Sequence, residues 1–208
     1  MSAVFVRKGT HVKSIRVAVA AGAVGLAALT ACSSPMEAGA AAVVGSERIS
    51  ARDLTRNVQE YETALKRANV SAEQLGVPVT QFVLYRMANE SAFRQLAAKH
   101  NVQVSEGEID AALKDPGQYQ SPEINLIARG VSPADARGYL RAELGAVKVR
   151  NQLGNAQDQA AQEKFVKELT SIKPIYSPRY GEFTQQGFVD PGRFGKSSQQ
   201  AQQQPQQG

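Results

Sequence analysis

The chain has one cysteine, two histidines and no tryptophan among its 208 residues, and each scarcity closes off a class of chemistry. A lone Cys32 cannot form an intramolecular disulfide, and no His, Cys and carboxylate set has the spacing of a metal site. A Ser–His nucleophile would have to use His100, which stands in no local signature of that kind. Glycines are scattered without phosphate-cradling spacing, and Glu106, Glu108 and Asp110 stand where helix caps and dipoles place acids. The expectation is a non-catalytic protein with no cofactor and no metal, stabilised by burial alone.

Charge of one sign is also scarcer than the sequence pI of 9.4 suggests. Arg7, Lys8, Lys13 and Arg16 precede Val17 to Leu29, an uninterrupted run of apolar and small residues. A basic start followed by a short apolar run is the layout of a secretory leader, and the run falls short of the roughly 20 residues that cross a bilayer. Without residues 1–31 the chain keeps 20 of its 24 basic residues against 19 acidic ones. A net charge near +1 gives no support for nucleic-acid binding. Leu29-Thr30-Ala31-Cys32 closes the run and resembles the lipobox of bacterial lipoproteins, in which the cysteine becomes the acylated first residue of the mature chain. The resemblance implies lipid attachment at Cys32 and a location at the extracytoplasmic face of the cell membrane, since two or more acyl chains anchor stably where one does not.

Residues 32–40 have no periodicity and read as a tether. Ser33 to Ala40 reaches at most about 28 Å at about 3.5 Å per residue, which would keep the folded part near the membrane. Ala42-Val43-Val44, Gly45-Ser46-Glu47-Arg48 and Ile49 predict a short strand and tight turn. Ser50, with Asp53 three residues on, predicts a capped helix to about Asn69 whose apolar stripe is Leu54, Val58, Tyr61 and Leu65. A single turn over Ser71 to Leu75, closed by Gly76 and Pro78, leads to a long helix from about Thr80 to His100. Ser105 to Glu108 is a capping box for a short helix through Leu113, and Pro122 to Arg129 is another short helix. Ser132-Pro133-Ala134-Asp135 supplies an N-cap and first turn for a helix to about Leu153, with Ala136, Leu140, Leu144 and Val147 on one face. A last helix from about Ala156 to Ser171 carries Phe165, Val166, Leu169 and Ile172. Lys173 to Phe183 contains Pro174 and Pro178, so it is extended and at best an edge strand. Residues 184–208 read as a disordered tail, because Ser197 to Gly208 holds seven glutamines and no large apolar residue. The fold class expected is mainly α, a compact multi-helix domain over residues 41–183 with a small β element formed from its N- and C-terminal segments.

The long helix is apolar on more than one side, which marks a helix central to its fold. Leu84, Tyr85, Ala88, Ala92, Leu96, Phe82 and Phe93 fill a wide arc, and Val83 and Met87 lie outside it. Phe82, Val83, Met87 and Phe93 are therefore the candidate peptide-binding residues, with Met87 expected at least partly exposed. His100, at the end of the helix, is expected to complement the helix dipole.

Taken in order, Ala42-Val43-Val44-Gly45, Ile49-Ser50, Lys99-His100-Asn101-Val102 and Val104-Ser105-Glu106-Gly107-Glu108-Ile109-Asp110-Ala111-Ala112-Leu113 resemble the N-terminal domain of the SurA/PrsA class of extracytoplasmic foldases. The later helix around Tyr139-Leu140 also fits, so the resemblance covers residues 41–172. Pro178-Arg179-Tyr180-Gly181 is similar to segments of such lipoproteins, with no chemical role to assign. In the foldases a parvulin-type prolyl isomerase domain of about a hundred residues precedes the closing helix. Here Leu153-Gly154-Asn155 passes almost directly into that helix, and the histidine pair of parvulin sites has no counterpart. The resemblance implies a membrane-anchored chaperone or holdase that binds unfolded or secreted polypeptides without catalysis. An adaptor lipoprotein holding one dedicated envelope partner is the alternative, and a prolyl isomerase is the reading with least support.

Overall fold

The structure is a computed structural model that describes residues 38–155, 158–184 and 187–189. The expected leader, Cys32, most of the tether and the glutamine-rich end lie outside the described residues. The chain begins with a hairpin of β1 (Ala40–Val44) and β2 (Glu47–Ser50), which pairs Ala42 with Ile49 and Val44 with Glu47. Gly45 opens the two-residue turn at φ +54, a conformation that costs glycine little. The Gln95 side chain clamps this turn to the helix beneath, accepting from Ser46 N at 3.1 Å and donating to the Val44 carbonyl at 2.7 Å.

Ser50 ends β2 and caps α1 (Ala51–Arg67), its hydroxyl accepting from Asp53 N at 3.0 Å. A 3₁₀ turn over Ala72–Leu75 leads into α2 (Val79–Lys99). Then follow α3 (Glu106–Ala112), α4 (Pro122–Ala128), α5 (Ala136–Leu153) and α6 (Gln159–Ser171). The predicted capping box is present at α3, where Ser105 Oγ accepts from Glu108 N and Glu108 Oε2 accepts from Ser105 N. After α6, β3 (Pro174–Tyr176) pairs antiparallel with β1, so the sheet order is β2-β1-β3. The fold is thus mainly helical, and its small sheet joins the two ends of the domain as expected. β1 is the central strand, and Ala41, Ala42 and Val44 are fully buried.

Two apolar clusters divide the interior. The larger joins β1 and β2 to Leu54, Tyr61 and Leu65 of α1 and Val83, Leu84 and Ala88 of α2; the smaller gathers Ile109, Val131, Ala136, Tyr139 and Leu140. α2 and α5 cross closely: a Cβ added at Gly145 would lie 2.9 Å from the Cβ of Ala97.

Several expectations change here. Val147 is 37% exposed, because α5 turns Tyr139, Ala142, Ala146 and Val149 inward; the crossing at Gly145 needs small side chains, which a search for large apolar stripes passes over. Val166 on α6 is 54% exposed and Ala161 is that helix's buried residue. Ser132 caps as predicted, its hydroxyl accepting from Asp135 N at 3.3 Å, but Pro133 to Asp135 form a turn and α5 starts only at Ala136. His100 follows α2 and also lies 2.6 Å from Glu168 Oε2, tying α2 to α6. Ordered pairing continues past 183: β4 (Glu182–Thr184) and β5 (Gly187–Val189) form a second antiparallel sheet, with β5 inside the stretch read as tail. Ala40, counted with the tether, is already a buried residue of β1.

The polar tie at the centre is Arg86, 5% exposed. Its Nε donates to the Gly130 carbonyl at 3.2 Å, Nη1 to Glu90 at 2.8 Å, and Nη2 to Asn57 at 2.6 Å and Asp135 at 3.2 Å. One guanidinium therefore joins α1, α2, the end of α4 and the approach to α5. Arg86→Met leaves two carboxylates and a buried carbonyl without their donor and should lower unfolding free energy by about 3–5 kcal/mol, read from urea melts. Arg86→Lys should recover only part of that loss, because an ammonium cannot reproduce the planar fork.

The α3–α5 contact gives a pH signature. The Lys148 ammonium, and then the Ser105 backbone and hydroxyl, hold the Glu108 carboxyl down to about 2 from an ordinary 4.5. A depressed carboxylate contributes stability that is full above its ordinary value and is lost as pH falls toward its folded one. The contribution should disappear between pH 4.5 and about 2. A carboxyl NMR titration should place the Glu108 midpoint near the lower value, and Lys148→Ala should move it upward.

Candidate functional site

α2 distributes its faces among different neighbours, and this separates the four residues singled out in the sequence. Val83 is 0% exposed and belongs to the larger core. It cannot line an open groove, which corrects its placement on a second, ligand-facing side: α1 and the hairpin cover that side. Met87 is half-buried as expected, but it borders a polar cleft with Asn57, Arg86, Glu90, Ser91 and Asp135. Phe93 is half-buried about 16 Å along the helix from Phe82 and is not among the groove residues described next.

Phe82 alone of the four lines an apolar groove. Together with Leu75, Val77, Gln81, Tyr85, Phe183, Gly187 and Phe188 it encloses about 350 Å³. Phe82 and Tyr85, three residues apart, share one side of α2. Phe82 leans on Tyr61 at a centroid distance of 6.0 Å, and Tyr61 donates its hydroxyl to the Ile127 carbonyl at 2.7 Å. Burial pushes the Tyr61 phenol up to about 12, against the lowering effect of the Arg86 charge, so it stays a neutral donor. Tyr85 stacks on Phe183 at 5.6 Å and 24°, and Phe183 meets Phe188 edge-on at 5.1 Å. Tyr85 and Phe183 remain 44% and 40% exposed, so the cluster presents aromatic surface to solvent.

Chemically this groove can hold apolar side chains and do little else. Of its lining side chains only Gln81 and Tyr85 are polar, and the Gln81 amide already donates to the Tyr180 carbonyl at 2.9 Å. Among the described residues no three His, Cys, Asp or Glu side chains gather as metal ligands. A wider cleft of about 520 Å³ lies between α2 and α5, lined by Arg94, Ala97, Val102, Val104, Arg141 and Ala142 among others. Its arginines are committed to Glu47 and Glu106. Burial pushes the Glu47 carboxyl up, but hydrogen bonds from Arg94 and Ser91 outweigh it and hold the group below its ordinary value.

The sequence reading missed most of the groove. Tyr85 stands in the wide arc of α2 but not among the candidate residues, and a domain boundary at 183 puts Phe188 in the stretch read as tail. The signal available was the alternation around Gly187: two short segments, each with a central phenylalanine and separated by polar residues, are a hairpin pattern.

No curated protein and no solved structure matches the chain. The model of the SurA-like N-terminal domain matches residues 4–124. That match begins earlier than the resemblance read from the sequence and ends within α4, leaving α5, α6 and the C-terminal strands outside it. It spans more than half of the 208 residues, and with it the chain belongs to the SurA-like N-terminal domain family.

Proposed function

We propose that this protein is a membrane-anchored, extracytoplasmic chaperone that holds unfolded or secreted polypeptide in the aromatic groove of α2, without catalysis. The observation that carries the reading is the half-exposed cluster of Tyr85 and Phe183, with Val77 at its mouth, on the central helix of a domain whose family has a chaperone-like role. Aromatic side chains offer large contact area at low entropic cost, and a groove without directional polar groups suits ligands of varied sequence.

The groove is tested by Val77→Asp. Val77 is exposed and outside the core, so helicity should be retained, while a charge at the mouth should weaken capture of reduced, carboxymethylated lactalbumin by about tenfold, read by fluorescence anisotropy. The parent should also suppress aggregation of several unrelated unfolded proteins. Activity toward none would favour the adaptor reading.

Anchoring rests on Leu29-Thr30-Ala31-Cys32. Cys32→Ser should abolish incorporation of labelled palmitate and release the protein from the membrane fraction in cells. Retention equal to the parent would remove the lipid anchor from the proposal.

A further inference from the structure

β4 and β5 pair through three residues each, Glu182 with Val189, Phe183 with Phe188 and Thr184 with Gly187. They form a sheet of their own, separate from β2-β1-β3. A two-stranded pair of this length is not stable alone, so its position depends on what it rests upon. It rests on rings. Phe183 stacks on Tyr85 and lies 4.8 Å from Tyr176, and Phe188 meets Tyr176 edge-on at 4.8 Å.

The chain just before the pair is fixed separately, because the Tyr180 carbonyl accepts from Gln81. Gly181, at φ +102, then divides the fixed segment from the pair with a conformation open mainly to glycine. Tyr176, whose ring both phenylalanines meet, has a buried hydroxyl with no hydrogen-bond partner among the described residues. The aromatic face is therefore partly covered by two short strands that meet it through ring contacts.

We infer that the β4–β5 pair is a displaceable wall of the groove: Phe183 and Phe188 partly cover Tyr85 and Tyr176 until a bound polypeptide displaces them. The inference rests on the proposed function and adds a limit on its affinity, since the apparent affinity falls by the fraction of molecules in which the face is covered.

Hydrogen exchange on the full mature chain tests it, with reduced, carboxymethylated lactalbumin as the probe. Binding should speed exchange at the amides of Glu182–Thr184 and Gly187–Val189. Gly187→Ala supplies the second readout. Gly187 sits at φ +99 and an added Cβ meets nothing within 4 Å, so the substitution strains the pair without removing or adding a ring contact. It should tighten lactalbumin binding by about threefold to tenfold, with helical circular dichroism unchanged. If lactalbumin binds while those amides slow or stay unchanged, or if Gly187→Ala binds no more tightly, the inference fails and the groove stands as an open binding face. If neither form binds, the inference and the proposed function fall together.

Discussion

A guanidinium buried at the middle of α2 must find oxygen partners at fixed distances, or the helix cannot be covered at that point. Arg86 finds four, from α1, its own helix, the loop after α4 and the turn before α5. Those partners fix where three other segments cross α2. Asp135 is held in a turn by Arg86 and by Ser132, whose hydroxyl lies 3.1 Å from the same carboxylate oxygen, and α5 starts only after it. The chain of alternating charge continues outward from Glu90 to Arg94 at 3.6 Å and from Arg94 to Glu47, reaching the hairpin. Apolar packing supplies most of the driving force for such a domain, but it is non-directional. The directional contacts of Arg86 select which crossing the helices adopt.

With Val83, Leu84 and Ala88 given to the larger core and Arg86 to its polar partners, the side of α2 carrying Phe82 and Tyr85 is left for the C-terminal segments. Those segments cover it thinly. β3 completes the sheet against β1, and its Ile175 remains exposed. The β4–β5 pair then adds two phenylalanines without closing over the surface.

Local chemistry was legible in the sequence where one residue type decides the outcome. Ser50 and Ser105 both cap helices through a hydroxyl that accepts a backbone N–H, and caps depend on residues three positions apart. The stripe of α1 was legible because Leu54, Tyr61 and Leu65 all turn into one buried cluster. α2 and α5 each touch several neighbours, so period alone could not assign their faces. Val83 looked like a second face and is core, whereas Tyr85 shares its arc with the buried Leu84 and Ala88 and is half-exposed. Gly145 and Ala97 decide the α2–α5 approach by being small, a property that hydropathy does not register. The groove was illegible because its walls lie far apart in sequence, at Leu75–Tyr85 and Phe183–Phe188. Only the pairing of the chain ends brings them together.

The two walls also differ in what the family match covers. Leu75, Val77, Gln81, Phe82 and Tyr85 fall inside the stretch matched by the family model, and Phe183, Gly187 and Phe188 fall outside it. The helix face thus lies in the matched stretch, and its aromatic covering lies beyond it. The wall from α2 is rigid, since Phe82 is backed by Tyr61 and Tyr61 is tied to the Ile127 carbonyl. The opposite wall makes its contacts through the rings of Phe183 and Phe188, which meet Tyr85 and Tyr176. A groove with one fixed and one yielding wall can widen without disturbing the core, because no residue of the Arg86 network lines it. Under the proposed function, selectivity would then reside less in α2 than in how readily the strands beyond Gly181 give way.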